Sequence, residues 1–343
     1  MAGMGSGMRS VDGWQHEHSG HCESGVAAGL LRFHGLPMTE PLAFGLSSAL
    51  LFAHIPFVKV SGFPLTAYRA LPGSILRGLE QRLGVRLARQ RFRDPVQGKR
   101  ALDDALDRGE PVGLQTSVFF LPYFPPDMQF HFNAHNLVVI GRSDNEYLIS
   151  DPVFESLQWC DEVSLERARF AGGAFAPRGL MYRVKSLPRG VEYRRVVPGA
   201  IRKTVRVNLK TPLPLVGVRA IDRLAEKVRR LPEKGMTEHR QGLFVGHIIR
   251  MQEEIGTGGG GFRFMYAAFL QEAAALLQDE FLDKTGAQMI EVGDQWRQFA
   301  LTGAGFCRHD GTTAREVAEQ LSSCAVAERA VFMALDQWVR RRA

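Results

Sequence analysis

Cysteine is scarce in this sequence, and no apolar run is long enough to cross a bilayer. The four cysteines are scattered over 343 residues, and no two of them form a Cys-x-x-Cys pair. This spacing excludes a disulfide scaffold, a zinc ribbon and a thioredoxin-type redox motif. The first twenty residues also lack the apolar stretch of a secretory signal. We therefore expect a cytoplasmic protein whose cysteines are free thiols.

One of these thiols, Cys22, has an unusual setting in the segment HSGHCESGVAAGLLRFHG. Apolar residues follow it with a spacing close to 3.6, and His34-Gly35 provides a helix stop. Cys22 is thus predicted at the N-terminus of a helix. There, unpaired N–H groups and the helix dipole favour the thiolate, which is the nucleophilic form. The alternative is a small buried apolar side chain without a chemical role.

A base for this thiol is present in the segment FNAHNLVVIGRSDNEYLISDPVFE. His135 opens one apolar run, and a second short run ends at Asp151-Pro152; the Asp-Asn pair between them predicts a β-hairpin. In an antiparallel pair the start of one strand lies beside the end of the other, so His135 and Asp151 are expected to be neighbours. A carboxylate there fixes the tautomer of the imidazole and stabilises the imidazolium. A structural histidine and a turn aspartate are the alternative.

Together, the segments HCESGVAAGLLRFHG, GEPVGLQTSVFF, HNLVVIG and ISDP resemble the papain-like cysteine fold of bacteriocin-processing peptidases. More closely, they resemble the butirosin biosynthesis acyltransferase family. This resemblance extends over most of the chain and implies a papain-like N-terminal domain followed by an α-helical domain. It also implies transfer of an acyl group from the phosphopantetheine thioester of an acyl carrier protein to an amine, through a cysteine acyl-enzyme.

In the reaction that the resemblance implies, Cys22 is the nucleophile, His135 the base and Asp151 the residue that orients the base. No cofactor is expected to be bound, because phosphopantetheine arrives on the carrier protein. Papain-like enzymes also carry a glutamine shortly before the cysteine that helps to form the oxyanion hole. Here Gln15 precedes Cys22 by seven residues and is the side-chain candidate for that role. The backbone N–H of Cys22 is the second candidate donor.

The histidines just upstream of Cys22 offer a different interpretation. His16, His18 and His21 lie close together, and His and Cys are common ligands of zinc and copper. Ligands packed so closely on a Gly/Ser-containing segment lack supporting hydrogen-bond partners. We therefore expect no metal site here.

The rest of the N-terminal half is predicted to mix helices and strands. The pattern favours a helix capped by Thr39 over TEPLAFGLSSALLFAH, strands at FVKVSGF, VRLARQRF and residues 111–119, and helices over 73–83 and 94–106. The segment LPYFPPDMQFHF has three prolines and four aromatic residues. It is predicted to be a loop that borders the substrate.

Positive charge is concentrated in one segment. Residues 183–230 contain fourteen Lys or Arg against three acids, a net +11 in a chain of +7. Such a patch suits a nucleic acid, an anionic membrane or an acidic protein. It carries no nucleic-acid motif, and Tyr193 is its only aromatic residue. The resemblance selects an acidic acyl carrier protein as the partner, with neither nucleic acid nor membrane expected. A solvated basic connector without a partner is the alternative.

Beyond residue 235, apolar residues recur at helical spacing, as in a helix bundle. The segment GTGGGGFRFMYAAFL interrupts this pattern with consecutive glycines before a helix. Three of them can bring backbone N–H groups close to an anion: Gly258, Gly259 and Gly260. Arg263 can add a charge-assisted hydrogen bond. These four residues are predicted to bind substrate or phosphopantetheine, with a flexible hinge as the alternative.

With 45% hydrophobic and 23% charged residues, the chain can bury a sizeable core in two domains. The predicted fold is α+β. A disordered tail over 1–12 precedes a papain-like catalytic domain over 13–190, a basic connector over 191–235 and an α-helical domain over 236–343. The predicted function is acyl transfer from an acyl carrier protein to a small amine in natural-product biosynthesis. A papain-like cysteine peptidase, a thioesterase and a non-catalytic carrier-protein binding module are the alternatives.

Overall fold

The structure, a computed structural model, describes residues 9–60, 62–254 and 257–342. The chain divides into two compact units. The first consists of Met1–Ala43 and Ile75–Gly190, and the second of Phe44–Ser74 and Val191–Ala343. The first unit ends at residue 190, and the catalytic domain over 13–190 stays a prediction. A hairpin from inside that domain, however, belongs to the second unit.

Strands and helices are mixed up to residue 186, and helices follow from Tyr193 to Arg340. The strands are β1 (Arg9–Ser10), β2 (Leu50–Val60), β3 (Phe63–Arg69), β4 (Arg86–Gln90), β5 (Val112–Thr116), β6 (His135–Arg142), β7 (Glu146–Ser150), β8 (Gln158–Asp161) and β9 (Met181–Ser186). The helices are α1 (Cys22–Phe33), α2 (Glu40–Leu46), α3 (Ser74–Leu83), α4 (Pro95–Asp107), α5 (Glu162–Arg169), α6 (Tyr193–Lys210), α7 (Val218–Arg229), α8 (Glu238–Glu253), α9 (Arg263–Leu277), α10 (Glu280–Arg308) and α11 (Ala314–Arg340). Short 3₁₀ turns lie at Val118–Phe120, Pro126–Met128, Pro232–Lys234 and Gly260–Phe262. Within the described ranges, no helix combines the length and apolar character that crossing a membrane requires.

An antiparallel sheet forms the centre of the first unit. Its strands follow the order β4-β9-β5-β6-β7-β8, and β1 pairs with the C-terminal end of β6. Strand β6 is buried from His135 to Gly141. It forms the predicted hairpin with β7, in which Val138 lies opposite Ser150. This register brings Asp151, the residue after β7, to the start of β6.

Helix α1 packs against β6 and β9 and contributes to the core of the first unit. Its apolar face buries Val26, Leu30 and Leu31, each 3% exposed or less. Burying each such side chain contributes about 1.5–3 kcal/mol. The cysteine at the start of α1 is therefore carried by a helix that is anchored to the central strand.

The second unit contains the β2–β3 hairpin and the helices from α6 to α11. The segment 191–235, predicted as a connector, is folded: it contains α6 and α7, and both pack against α11. Their inner faces bury Val197, Ile201 and Leu224. The connector prediction is wrong because it was based on the positive charge of the segment. It overlooked these apolar residues, which recur at helical spacing. The predicted α+β class, with a helical C-terminal region, is confirmed.

The predicted long helix after Thr39 is also wrong in its second half. Helix α2 ends at Leu46, because Ser48 has a left-handed φ of 60° and the chain from Leu50 pairs with β3. An α-helix cannot continue through such a residue. Strand pairing thus overrides a local pattern that favours helix.

The tail predicted as disordered over 1–12 contains order in the part that the structure describes. Arg9–Ser10 forms β1, which pairs with Arg142 and Gly141 of β6. The side chain of Val11 is 5% exposed. Residues 1–8 of the predicted tail lie outside the described residues.

Candidate active site

Cys22 is the first residue of α1, as the sequence predicts, and it is 6% exposed. The N-cap is His21, whose backbone is extended and whose Nδ1 accepts the N–H of Ser24. The first four N–H groups of a helix have no acceptor within that helix. The backbone N–H of Cys22 can therefore donate to an oxyanion at the positive end of the helix dipole.

Two hydrogen bonds and one close approach join the segment around the cysteine to the end of β7 and the turn that follows it. The N–H of Ser19 donates to the carbonyl of Pro152 at 2.6 Å. The ring of His16 is hydrogen-bonded to the hydroxyl of Ser150 at 2.8 Å. A Cβ on Gly25 would lie 2.7 Å from the Cβ of Pro152, closer than real side chains approach. Glycine is therefore required where the first turn of α1 meets this turn.

A carboxylate fixes the backbone just before Cys22. Glu40 accepts the N–H groups of Gly20 and His21, each at 2.8 Å, and the Ser24 hydroxyl at 2.9 Å. Burial raises the pKa of Glu40, and these hydrogen bonds oppose the rise. The two backbone N–H groups are committed to Glu40, which leaves that of Cys22 for a substrate.

His135 and Asp151 are neighbours, as the hairpin predicts. Nε2 of His135 donates to Oδ2 of Asp151 at 2.7 Å, and the two side chains are 4% and 0% exposed. An ionised carboxylate only accepts hydrogen bonds, so Nε2 carries a proton and Nδ1 is left to face the thiol. The Cys22 side chain lies close enough to the same imidazole to raise its pKa. The structure thus brings Cys22, His135 and Asp151 together, and we call them the triad.

The charge state of His135 follows from these contacts. Burial lowers the pKa of the imidazole, but the charge and hydrogen bond of Asp151, together with Cys22, raise it to about 10. The imidazolium is therefore the resident form at neutral pH. A cationic imidazole beside a cysteine is the arrangement found at cysteine nucleophiles.

The remaining thiols have a different environment. Burial raises the pKa of Cys160 to about 12 and also raises the pKa of Cys307 and of Cys324. Buried thiols whose pKa is raised stay protonated and are inert. Of the four cysteines, all of which the structure describes, Cys22 is the one paired with a histidine.

The loop between β5 and β6, predicted to border the substrate, covers one side of the triad with aromatic rings. The hydroxyl of Tyr123 donates to Oδ2 of Asp151 at 2.9 Å. The ring of Phe124 stands edge-on to the His135 imidazole, with centroids 5.3 Å apart, and packs on Phe154 at 4.8 Å. These rings keep water from the imidazole and the carboxylate, which strengthens the interaction between them.

The structure does not support the oxyanion role predicted for Gln15. Its side chain is exposed, whereas the flanking Trp14 and His16 are partly buried. Trp14 packs on Phe33, with ring centroids 5.8 Å apart. Successive side chains of an extended segment point to opposite sides, so Gln15 points outward. Within the described residues it forms no hydrogen bond with the triad, and the N–H of Cys22 remains the candidate donor.

Two of the three upstream histidines, His16 and His21, serve as hydrogen-bonding groups. In the described part of the chain, no group of three or more His, Cys, Asp or Glu is arranged to hold a metal ion. His16 uses one ring nitrogen with the Ser150 hydroxyl and the other with the Phe154 carbonyl. His21 caps α1. These contacts explain the two rings without a metal.

The structure does not support the predicted anion site in the glycine-rich segment. Gly256, which opens the segment, lies outside the described residues. The N–H of Gly260 donates to the carboxylate of Glu253 at 3.2 Å, and that of Gly259 donates to a threonine hydroxyl at 3.2 Å. Both amides are thus used within the chain. Gly258 and the three glycines after it all have positive φ, which explains the glycines without a ligand.

Arg263 is also unavailable to a ligand, contrary to the prediction. Its side chain is fully buried. It donates through Nε to Glu328 at 2.7 Å and through Nη1 to the carbonyl of Gly261 at 2.5 Å. Trp296 donates to the same carboxylate at 2.6 Å. The ion-pair partner lies 65 residues away in the sequence, so the local pattern gave no sign of it.

The sequence did not single out two residues that contact the site. Tyr123 is one of several aromatic residues in the predicted loop, and nothing in the local pattern distinguishes it from the others. Glu40 stands at the start of α2. Acidic residues are common there because they favour the helix dipole. Its position at a helix start is therefore sufficient to explain Glu40, and its contact with the segment before Cys22 was not predicted.

Two family models match the chain. Residues 21–152, which include the triad, match the family described as "Butirosin biosynthesis protein H, N-terminal". Residues 163–335 match the family described as "Domain of unknown function (DUF4872)". No curated protein matches the sequence. A solved structure described as a C39-like peptidase from Bacillus anthracis is similar over 53% of this chain and 99% of that chain, with 14% identity and a TM-score of 0.37.

The first match spans α1 and the β6–β7 hairpin, the elements that carry the triad. The second covers half of the chain and includes most of the helices of the second unit. The chain therefore belongs to the Domain of unknown function (DUF4872) family, and its N-terminal part is similar to the family described as "Butirosin biosynthesis protein H, N-terminal".

Proposed function

We propose that this chain is a cysteine-dependent acyltransferase. It moves an acyl group from the thioester of an acyl carrier protein to a small amine, through an acyl-enzyme on Cys22. The observation that carries the proposal is the position of His135, which lies beside Cys22, the first residue of α1, and is hydrogen-bonded to Asp151. The match of this segment to a butirosin biosynthesis protein favours a biosynthetic reaction.

In the first half-reaction, the Cys22 thiolate attacks the carbonyl carbon of the carrier thioester. Negative charge develops on the carbonyl oxygen near the Cys22 N–H and the N-terminus of α1, where both stabilise it. The bond from the carbonyl carbon to the phosphopantetheine sulfur then breaks, and that sulfur takes the proton from Nδ1 of His135. Asp151 keeps its hydrogen bond to Nε2. The products are the acyl-enzyme and the free carrier thiol.

In the second half-reaction, an amine nitrogen attacks the carbonyl carbon of the acyl-enzyme while neutral His135 accepts its proton. The amide forms as the bond from carbon to Cys22 sulfur breaks, which restores the thiolate and the imidazolium. The sum is thioester plus amine to amide plus thiol, with no oxidant or reductant. A positioned base contributes a factor of about 100 to 10,000 to such a step.

A cationic surface on the second unit suits an acidic carrier protein. The α6 basic face consists of exposed residues on one side of the helix: Arg195, Arg202, Lys203 and Arg206. Within the described residues none of the four is paired with a carboxylate, whereas Lys210 on the same helix pairs with Asp336 at 2.6 Å. Uncompensated cations on one face accelerate encounter with an acidic partner.

The remaining parts of the proposal follow from this chemistry. The carrier supplies the phosphopantetheine, so the chain needs no bound cofactor for the reaction. The second substrate is a small amine, and neither nucleic acid nor a membrane takes part. A cytoplasmic location fits a thiol that must stay reduced.

Intact-protein mass spectrometry after incubation with an acyl-loaded carrier protein tests the proposal. The wild type and a Cys307→Ala control are expected to gain the acyl mass, and Cys22→Ala is not. The control removes a half-buried thiol that has no histidine partner. Acyl mass retained in Cys22→Ala would refute the proposal.

The same preparation separates transfer from hydrolysis. Adding a panel of amines to the acyl-enzyme is expected to release amides. Release of free acid alone would indicate a thioesterase, and cleavage of peptides by the same cysteine would indicate a peptidase. A Cys22→Ser variant that keeps full biological activity would indicate a non-catalytic carrier-binding module.

Charge reversal tests the α6 basic face. Arg195→Glu with Arg202→Glu should slow acylation by the carrier, with little change for a small uncharged thioester. Arg240→Glu with Lys284→Glu is the matched control, because both residues are exposed cations of the second unit outside α6. Raising salt should mimic the α6 variant, since exposed charges are screened over about 10 Å at 0.1 M ionic strength. Equal losses of acylation rate with the carrier thioester and with the small thioester would exclude docking at this face.

A further inference from the structure

Asp151 receives more than the hydrogen bond from the base. Its Oδ2 accepts one hydrogen bond from Nε2 of His135 at 2.7 Å and a second from the hydroxyl of Tyr123 at 2.9 Å. Its Oδ1 accepts the backbone N–H of Val153 at 3.2 Å. The atom that stabilises the imidazolium is therefore shared between two donors.

Tyr123 is suited to remain a donor at every pH at which the enzyme works. Burial raises its pKa well above the ordinary value, and the charge of Asp151 raises it further. Its ring packs on Phe154, with centroids 5.2 Å apart, and the adjacent Phe124 contacts the His135 ring. The hydroxyl is thus held against the carboxylate by the same aromatic cover that encloses the triad.

Sharing one oxygen has a chemical consequence. A hydrogen bond to an ionised carboxylate stabilises the ionised form. It also reduces the negative charge that Oδ2 presents to the imidazolium. A base that must both release and accept a proton works best when its proton affinity is moderate. A carboxylate without the second donor would hold the imidazolium more tightly.

We infer that Tyr123 is a positioning residue that moderates how tightly the Asp151 carboxylate holds the His135 imidazolium. The effect matters most in the acyl-enzyme, where the thiolate charge is gone and Asp151 is the anion that faces the base. This inference rests on the proposed roles of the triad. It does not depend on the identity of the acyl donor or the amine.

The test is the pH profile of alkylation by iodoacetamide, a small neutral electrophile, in the full-length chain. The alkaline limb reports loss of the imidazolium beside the thiolate. Tyr123→Phe should move this limb upward by about half a pH unit, since one hydrogen bond changes the pKa of a carboxylate by about one unit and only part of that reaches the imidazole. The acidic limb should not move.

Tyr147→Phe is the matched control. The Tyr147 hydroxyl also donates to an aspartate, Asp103, at 2.8 Å, but that aspartate is not part of the triad. Its removal should leave both limbs in place. Equal movement in the two variants, or no movement in Tyr123→Phe, would overturn the inference.

A second variant covers the case in which Tyr123→Phe fails to fold. Site-specific 3-fluorotyrosine at position 123 keeps the ring and makes the hydroxyl a stronger donor, so the alkaline limb should move downward. A limb that stays in place would overturn the inference. Failure of the proposed function would give a different result. The His135→Ala variant would then have the same pH profile of alkylation as the wild type.

Discussion

Replacing Asp151 by asparagine would remove a charge from the active site while keeping its shape. The amide oxygen can still accept the hydrogen bond that Nε2 of His135 now donates at 2.7 Å. At an effective dielectric constant of about 20, unit charges roughly 3.5 Å apart interact by about 5 kcal/mol. This equals about 3.5 units of pKa at about 1.4 kcal/mol per unit. The pKa of His135 should therefore fall from about 10 to near its ordinary value of 6.5.

The alkaline limb of the Cys22 alkylation profile measures this change. In Asp151→Asn we expect the limb to fall by about three pH units relative to the wild type. Carrier-dependent transfer should also fall, but by less than in His135→Ala, because asparagine still holds the base in place. A limb that moves by less than about one unit in a folded Asp151→Asn variant would show that this charge does not control the base.

The same interaction makes stability depend on pH, with a defined sign. The folded state raises the pKa of His135 above its unfolded value, so the stabilisation is complete below about pH 6.5 and is lost as the pH rises through about 10. The Tm of the wild type should exceed that of Asp151→Asn most at the acidic end of this window and least at its alkaline end. A difference that grows with pH would contradict the assignment of the ion pair.

Two further substitutions test packing, one in each unit. Gly25→Ala places a Cβ 2.7 Å from that of Pro152, so thiol alkylation should slow and the free energy of unfolding should fall by about 1–3 kcal/mol. Gly246→Ala in α8 is the control, because the nearest atom to the added Cβ is 3.6 Å away. Its free energy of unfolding should instead rise by up to about 1 kcal/mol from helix propensity. Equal changes of the two variants in urea unfolding would refute the close approach of Gly25 to Pro152. Arg263→Met should cost about 3–5 kcal/mol because it leaves the carboxylate of Glu328 buried and unpaired. Combining it with Glu328→Leu should recover part of that loss, and a double variant less stable than the single one would contradict the pairing.

The triad could be predicted because each of its members is fixed by a short segment. The spacing of apolar residues after Cys22 indicates where a helix starts. The turn between β6 and β7 brings the ends of the two strands together whatever the rest of the chain does, as the pairing of Val138 with Ser150 shows. Local rules were therefore sufficient to place a base beside a carboxylate and a thiol at a helix N-terminus.

The contacts that tune the site could not be predicted, because they join segments that are distant in the sequence. Tyr123 meets Asp151 across 28 residues, and Glu40 meets Gly20 across 20 residues. Composition identifies a loop rich in aromatic residues, but it does not say which ring donates to the carboxylate. That depends on the path of the loop, which is set by packing of residues such as Phe124 on the core.

The glycine-rich segment shows where local reasoning about charge stops. Glycines before a helix favour an anion near their N–H groups, and the structure does place a carboxylate there, but it is that of Glu253 in the same chain. Arg263 likewise has its anion in Glu328. A sequence pattern can indicate that a charge needs a partner, while the tertiary structure decides whether the chain itself supplies it. By this criterion the α6 basic face is the better candidate for an external anion, because its four cations meet no carboxylate within the described residues.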